Sequence, residues 1–431
     1  MPIDPIAVAI LLGGFAVLIL LRVPIALALG LAAVFEAFYL GLPLPIVGQR
    51  MVAGLDIFAL LAIPFFILGG EIMGAGGISQ RLISLASLLV GWLRGGLAMI
   101  NIGASTFFGA LSGSSVADVS AIGSVTIPMM KKKGYDADYA VCVTISGAAQ
   151  AVMIPPSHNL VLYSMAAGGV SVGALFVAGI VPGLLIGLSL LVLVYILAVR
   201  RGYPRETLVP IAEIPRIVWE GLLSLLMPVI ILGGILSGIF TATESAAIGC
   251  VYAFILTFVV YRDIPISGIV GILQRTARTL GVVLFIIAAA GAFGYFLAFL
   301  RIPEAVTEGL IGLSDNKIVI LLLINILLLV LGAVMDMAPL ILIMTPILLP
   351  VATSLGMDPV QFGIMLLLNL AIGLITPPVG NVLFVGAAIG RISIEKVSRA
   401  LPIFLVPLLL VLLLITFLPK LSLALPGLLG L

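Results

Sequence analysis

Two Pro-Pro pairs, each set in an otherwise apolar stretch, are the residues of this 431-residue chain whose type and spacing best suit chemistry. They read Ile154-Pro155-Pro156-Ser157 and Thr376-Pro377-Pro378-Val379, 222 positions apart. Proline has no N–H to donate and its ring clashes with the preceding turn, so each pair must interrupt a helix. The unwound segment bares carbonyl oxygens, which suit a hard cation such as Na⁺, and the half-helix that follows offers free N–H groups to an anion. Ion and carboxylate capture by backbone is the chemistry this predicts. Prolines that only kink two helices are the plainer reading of either pair alone.

The spacing extends beyond the prolines. Pro128, Gly134, Asp136, Asn159, Gly168 and Ser171 recur without a gap as Pro350, Gly356, Asp358, Asn381, Gly390 and Ser393, so residues 128–171 reappear as residues 350–393. Interrupted apolar segments in corresponding halves point to a transporter binding site. The first candidate cation site joins Ser112 and Ser115 to the carbonyls of Ala151, Ile154 and Pro156. The second joins Gly332 to Gly373, Thr376 and Val379, and the same offset takes Ala151 to Gly373 and Ile154 to Thr376. Asn159 and Asn381 lie just past the breaks, able to brace the unwound chain; a polar contact between helices is the alternative for either.

Composition identifies the elements that must hold these residues. With 63% hydrophobic residues, 9% charged and a mean hydropathy of +1.39, the chain lies far from soluble usage, where about a quarter of residues are charged. Apolar stretches near the roughly 20 residues needed to cross a bilayer recur throughout. Lipid cannot satisfy an open backbone, so the fold class is an all-α polytopic membrane protein. The first stretch, from Ile6 to Leu21, has neither a basic leader nor a small-residue cleavage site and reads as a retained span. Cys142 and Cys250 sit in apolar context and predict neither a disulfide nor a metal site, and His158 is the single histidine. A net charge of +2 gives no argument for nucleic acid.

Between Arg94 and Lys131 the apolar sequence is interrupted by Gly109-Ala110-Leu111-Ser112-Gly113-Ser114-Ser115. Two half-length helices meeting there would form a re-entrant hairpin, and its partner, from about Asn316 to Val351, would turn near Gly332 to Met337. Non-helical backbone at membrane depth is tolerated only inside protein or along a wet cavity. A small-residue packing patch is the other reading of Ser112 to Ser115. The second tip carries Asp336, an acid that is expensive in lipid and functional by default. Glu36, Glu71, Asp118 and Glu244 belong either to a pathway or to a helix contact, and Arg301 either to carboxylate capture or to interfacial anchoring. Trp92 and Trp219 read as interface anchors.

Cytoplasmic loops carry the excess of Lys and Arg. Lys131-Lys132-Lys133 corresponds to Thr353-Ser354-Leu355, while the uncharged segment from Gly169 to Gly173 corresponds to Arg391 to Glu395. Basic matches neutral in both loops, as an inverted repeat with two broken helices requires. Both termini then fall on the periplasmic side, together with Arg50, Arg301 and Lys317.

The segment Gly238-Ile239-Phe240-Thr241-Ala242-Thr243-Glu244-Ser245 resembles the G-x-F-T-P-T-E-A motif of the large membrane subunit of TRAP (tripartite ATP-independent periplasmic) transporters, with Ala242 in place of proline. The tip from Phe108 to Ser115, the Ile154-Pro155-Pro156-Ser157 break and Gly179-Ile180-Val181-Pro182-Gly183 are similar to that family's other landmarks. The resemblance runs from near residue 5 to near residue 418. It implies a secondary, Na⁺-coupled importer of an organic acid, working as an elevator in the bacterial inner membrane with no cofactor besides the coupling ion. It also implies a small four-helix membrane subunit and a periplasmic substrate-binding protein, which delivers a C4-dicarboxylate, a sugar acid or sialic acid. The sodium sites fall on the tips and breaks already named, and the carboxylate between them, near Ser114, Asn159, Asp336, Arg301 and Asn381. Residues 94–169 and 316–390 form the transport core on this reading; residues 1–93, 170–315 and 391–431 are scaffold and connecting helices in membrane lipid. A self-sufficient symporter of the same plan would need no binding protein. A passive channel needs no matched breaks, and no acid, base or metal cluster supports an enzyme.

Overall fold

The computed structural model describes residues 4–314 and 316–431, and among these it contains helices and no β-strand. Among the described residues six helices are long and apolar enough to cross a bilayer: Phe58–Ala75, Val172–Arg201, Ile211–Leu236, Ala242–Val260, Ile266–Phe299 and Met337–Ser354. Ile394–Ala400 and Pro402–Phe417 are long and apolar enough only when taken together, and are bent by 55° at their junction.

The same order of elements occurs twice. Phe58–Ala75 and Ile78–Val90 lead into one helix–tip–helix unit; Ile269–Phe299 and Ile302–Leu313 lead into the other. In the first unit Gly96–Ser112 ends at Gly113, and helix resumes at Ser115. In the second, Lys317–Gly332 and Met337–Ser354 flank residues 333–336. Each unit is followed by a helix running up to a proline pair, Ala137–Ala151 or Pro359–Gly373, and by a half-helix beyond it, His158–Ala166 or Asn381–Gly390. The repeated glycines mark the turns between these elements. Gly134 and Gly356 adopt left-handed φ of +85° and +80° just after a helix end, a conformation that costs glycine nothing.

The arms of the tips exceed the half-length expected from sequence. Gly96–Ser112 has 17 residues, or about 25 Å of helix. Gly103 and Gly109 do not end it because each lies against a neighbour; a Cβ at Gly109 would fall 2.6 Å from the Ala151 carbonyl oxygen.

Packing between the copies is reciprocal. Ile25–Tyr39 lies against Ile269–Phe299, while its counterpart Ala242–Phe254 lies against Ala62–Ala75. His158–Ala166 packs on Met337–Ser354, while Asn381–Gly390 packs on residues 115–132 of the first unit. Such exchange is what a two-fold axis between two copies produces. The Thr241–Glu244 segment is a helix start: Thr241 Oγ1 accepts from the Glu244 N–H at 3.2 Å and Glu244 accepts from the Thr241 N–H at 2.8 Å. Glu244 is thus spent on a capping box. Ala242 occupies the first helical position, where proline is favoured but alanine also fits.

One helix departs from the repeat. Along Val172–Arg201 a Cβ at Gly179 would sit 2.6 Å from the Met153 carbonyl oxygen, at Gly183 2.4 Å from Ile154 Cδ1, and at Gly187 2.4 Å from Gln150 Nε2. Three glycines at helical spacing thus form a groove that receives the chain from Gln150 to Ile154. Their counterparts by the repeat are Leu401, Leu405 and Leu409. Gly183→Val should therefore overpack this contact and lower the stability of the purified protein by about 1–3 kcal/mol. Gly233→Ala, at a site with nothing within 4 Å, should leave the melting temperature unchanged in the same assay; equal melting of the two variants would exclude the groove.

Candidate functional site

The first tip is built by a glycine and two serines. Gly113, at φ +57°, turns the chain so that Ser114 can cap the second arm, its Oγ accepting from the Ala117 N–H at 3.4 Å. The turn is seated on the first break: a Cβ at Gly113 would lie 2.9 Å from Ser157 Cα and 3.1 Å from the Pro156 carbonyl oxygen. Asn159 Nδ2 donates to the Gly113 carbonyl at 3.4 Å, so Asn159 does brace break against tip. Ser112, Ser114, Ser115, Ala151, Ile154, Pro156 and Asn159 thus belong to one tip-and-break unit.

Two hydroxyls there stand out. Ser115 and Ser157 are buried, and neither Oγ has a hydrogen-bond partner among the described residues. Buried polar atoms are normally paired. Unpartnered hydroxyl oxygens and the carbonyls of an unwound chain are the kind of donor that a hard cation takes.

The second unit closes through backbone. A Cβ at Gly373 would fall 2.4 Å from the Gly332 carbonyl carbon, so two glycines are needed where the helices meet. The Ala333 carbonyl accepts from the N–H groups of Val379 at 3.0 Å and Gly380 at 3.3 Å, and Val382 N donates to the Leu374 carbonyl at 3.1 Å. Thr376 Oγ1 donates to the Ile372 carbonyl at 2.7 Å, which keeps its own lone pairs free. Asp336, the counterpart of Ser114, caps the second arm, Oδ1 accepting from the Met337 N–H at 2.8 Å. Both Asp336 and Asn381 are exposed, and Asn381 makes no side-chain hydrogen bond among the described residues. Arg301 is exposed and left-handed at φ +55°, at the junction into Ile302–Leu313, and shares no hydrogen bond with either tip among the described residues.

The two units differ in burial. Pro155, Pro156 and Ser157 are buried, whereas Pro377, Pro378 and Val379 are exposed. Beneath the first tip lies a cavity of about 580 Å³, with Ser112, Ser114 and His158 on one side and Glu71 and Arg275 on the other.

Gln150 and Ser157 complete the first unit; Gln150 was not singled out from sequence, and Ser157 entered only as part of the break and not as a candidate ligand. Gln150 Nε2 donates to Thr106 Oγ1 at 2.8 Å and to the Gly183 carbonyl at 3.2 Å. Their repeat counterparts are Ile372 and Val379, so a search for shared positions passes over both. A polar residue next to a proline break is the signal that would have found them. Among the described residues no group of three or more His, Cys, Asp or Glu could hold a metal, and Cys142 and Cys250 are buried and free.

Comparison with known proteins assigns this arrangement to a family. Residues 12–421 match the family model described as the DctM component of tripartite ATP-independent periplasmic transporters. The isethionate TRAP transporter permease protein DctMQ of Oleidesulfovibrio alaskensis is 41% identical, over 99% of this chain and 67% of that protein. The sialic acid TRAP transporter large permease protein SiaM of Vibrio cholerae is 41% identical, over 88% of this chain and 89% of that one. Among solved structures, the YdaH transporter of Alcanivorax borkumensis superposes with a TM-score of 0.63 over 86% of this chain and 88% of that chain, at 16% identity, which is a likeness of fold. The chain belongs to the TRAP transporter large permease family, as a multi-pass membrane subunit and not an enzyme.

Proposed function

We propose that this subunit drives Na⁺-coupled import of an organic acid across the bacterial inner membrane, with its two tip-and-break units as the cation sites. One observation carries the reading: in the first tip-and-break unit the Ser115 and Ser157 hydroxyls are buried and have no hydrogen-bond partner among the described residues, in a unit whose helix is interrupted by Pro155 and Pro156. A group that must be dry yet unpaired is explained by an ion that pairs it. The second site uses Gly332, Gly373, Thr376 and Val379 around the Ala333 carbonyl. The carboxylate lies toward Ser114, Asn159, Asp336 and Asn381, where helix starts present N–H groups; Arg301 acts at a distance, by attracting the anion.

The names of relatives support the substrate class. Those proteins carry isethionate and sialic acid, both organic anions. A small four-helix membrane subunit and a periplasmic binding protein complete the system, and the basic loops set both termini in the periplasm.

An elevator motion suits two inverted copies around a midplane site, since alternating access is then largely a rigid-body movement of one bundle against the other. Residues 94–169 and 316–390 form the moving core. Val172–Arg201 travels with it, because its glycine groove grips the first break, and Pro402–Phe417 follows, because Gln361 Nε2 donates to the Ile415 and Thr416 carbonyls at 2.9 and 3.1 Å. The scaffold is then residues 5–90 with residues 214–313.

Proteoliposomes holding this chain and its small subunit should take up labelled organic acid only with an inward sodium gradient and the binding protein present. Uptake without the binding protein would mark a self-sufficient symporter instead. Ser115→Ala or Thr376→Ala should raise the sodium concentration for half-maximal uptake about tenfold, equivalent to ~1.4 kcal/mol, with the assembled complex unchanged on size-exclusion; unaltered sodium activation in both variants would remove these positions from the cation sites. Asp336→Asn should slow uptake about tenfold, and since Asn caps a helix as well as Asp, that loss would report the charge and not the cap. Wild-type uptake by Asp336→Asn would exclude Asp336.

A further inference from the structure

The cavity beneath the first tip contains one fixed positive charge that the sites above leave unused. Arg275 lines it from Ile269–Phe299, and Glu71 lines it from Ala62–Ala75; Ser112, Ser114, Ser120 and His158 line it from the first unit. The volume of about 580 Å³ falls in the range of small-molecule sites. No other Lys or Arg lines it. Arg275 lies in the second turn of Ile269–Phe299, where a long basic side chain can reach the polar cavity.

We propose that Arg275 is a carboxylate-binding group on the wall opposite the first tip, and that Glu71 is its resting partner, displaced when an organic anion enters. The inference deepens the import reading above and rests on it.

The geometry of the pair supports exchange. Arg275 Nε donates to Glu71 Oε2 at 3.0 Å, and this is the guanidinium's single hydrogen bond among the described residues. A guanidinium has five N–H donors and prefers a two-pronged grip on a carboxylate. The Glu71 contact uses one, so the terminal nitrogens remain available. The side chains are 52% and 31% exposed, and half-exposed ion pairs add little stability. Contrast Arg81, whose guanidinium holds Asp263 through two bonds of 2.7 and 3.1 Å, lies 3.3 Å from Glu220 and covers the Tyr261 ring at 3.7 Å. Arg81 is a structural clamp; Arg275 keeps its donors free in a cavity lined by serines. The anion would bridge Arg275 on one wall and the Ser114 side of the tip on the other.

A pair that only staples two helices behaves differently from a pair that competes with a ligand. Loss of either partner of a staple has the same effect. Loss of a competitor has the opposite effect from loss of the binder.

The test is equilibrium binding of labelled N-acetylneuraminate, succinate and isethionate, in sodium, to the purified complex of this chain with its small subunit. For the probes that wild type binds, Arg275→Gln should weaken affinity about tenfold, Arg275→Lys should weaken it less, and Glu71→Gln should tighten it about threefold, as expected for removal of a one-point competitor. Melting temperatures are recorded alongside. Weakening by both Arg275→Gln and Glu71→Gln with lowered melting would show a staple and overturn the proposal, as would unchanged affinity in both. Absence of both uptake and binding in wild type would overturn the import reading, and this inference with it; wild-type binding with unaffected variants sinks the Arg275 assignment alone.

Discussion

A polypeptide can leave the helical path inside a bilayer only where other protein groups satisfy the freed backbone and exclude lipid, because each unpaired N–H or C=O in hydrocarbon costs several kcal/mol. Two proline pairs impose that requirement twice here. The rest of the architecture answers it. At the first break the answer is contact: Gly109, Gly113, Gly179 and Gly183 let two helices and the tip approach the chain around the break to a distance that any Cβ would prevent. At the second it is hydrogen bonding, with one carbonyl, that of Ala333, taking two N–H groups from the opposite strand of the break. The tips end where they do because the breaks need them there.

Polar side chains then fix how the helices around each break are oriented. Asn101 Nδ2 donates to Thr126 Oγ1 at 2.5 Å and to Thr144 Oγ1 at 3.0 Å, tying both arms of the first unit to its broken helix. In the second unit Asn369 donates to Asn325 at 2.6 Å and Asn325 donates to Thr416 at 3.3 Å. Interhelical hydrogen bonds in membranes average only about 0.6 kcal/mol, so these networks select a register more than they hold the bundle together. Lys131 does something the positive-inside rule does not require: its Nζ donates to the Gly390 carbonyl at 2.9 Å. A cation at the C-terminal end of the second half-helix opposes that helix's dipole. A charge in the last turn of the first hairpin thus links that hairpin to the half-helix beyond the second break.

What could be read from the sequence was what depends on near neighbours in the chain. Single prolines lie inside continuous helices at Pro128, Pro182 and Pro228, but two in a row remove two donors and add two clashes, so both breaks were legible, as were the Gly/Ser tip at Ser112 to Ser115 and the turn at Gly332 to Met337. The repeat was legible from Pro128 to Ser171, and the fold extends it to the helices that precede each tip. Contacts between distant segments were not. Nothing local to Gly179, Gly183 or Gly187 says that the chain from Gln150 to Ile154 lies in their groove. Asn159 and Asn381 look equivalent in sequence, yet one is buried against Gly113 and the other faces out, because the difference resides in what packs over them. Glu71 and Arg275 lie 204 positions apart, and only the fold brings them to one cavity.

The substitution of leucine for glycine between the two copies decides which break is held. Glycines at 179, 183 and 187 let a long helix press against the first break, and that helix runs unbroken through Pro182. Leu401, Leu405 and Leu409 cannot approach a backbone in that way. The corresponding helix bends by 55° between Ala400 and Pro402, and Pro377, Pro378 and Val379 stay exposed. A single duplicated plan therefore carries two different supports, one covered by the tip and the Val172–Arg201 helix and one closed by the Gly332–Gly373 contact and hydrogen bonds to the Ala333 carbonyl. Segments with few buried contacts open at lower free energy than the surrounding core. The second break is thus the softer of the two by construction, and the difference is written in three residue positions rather than in the breaks themselves.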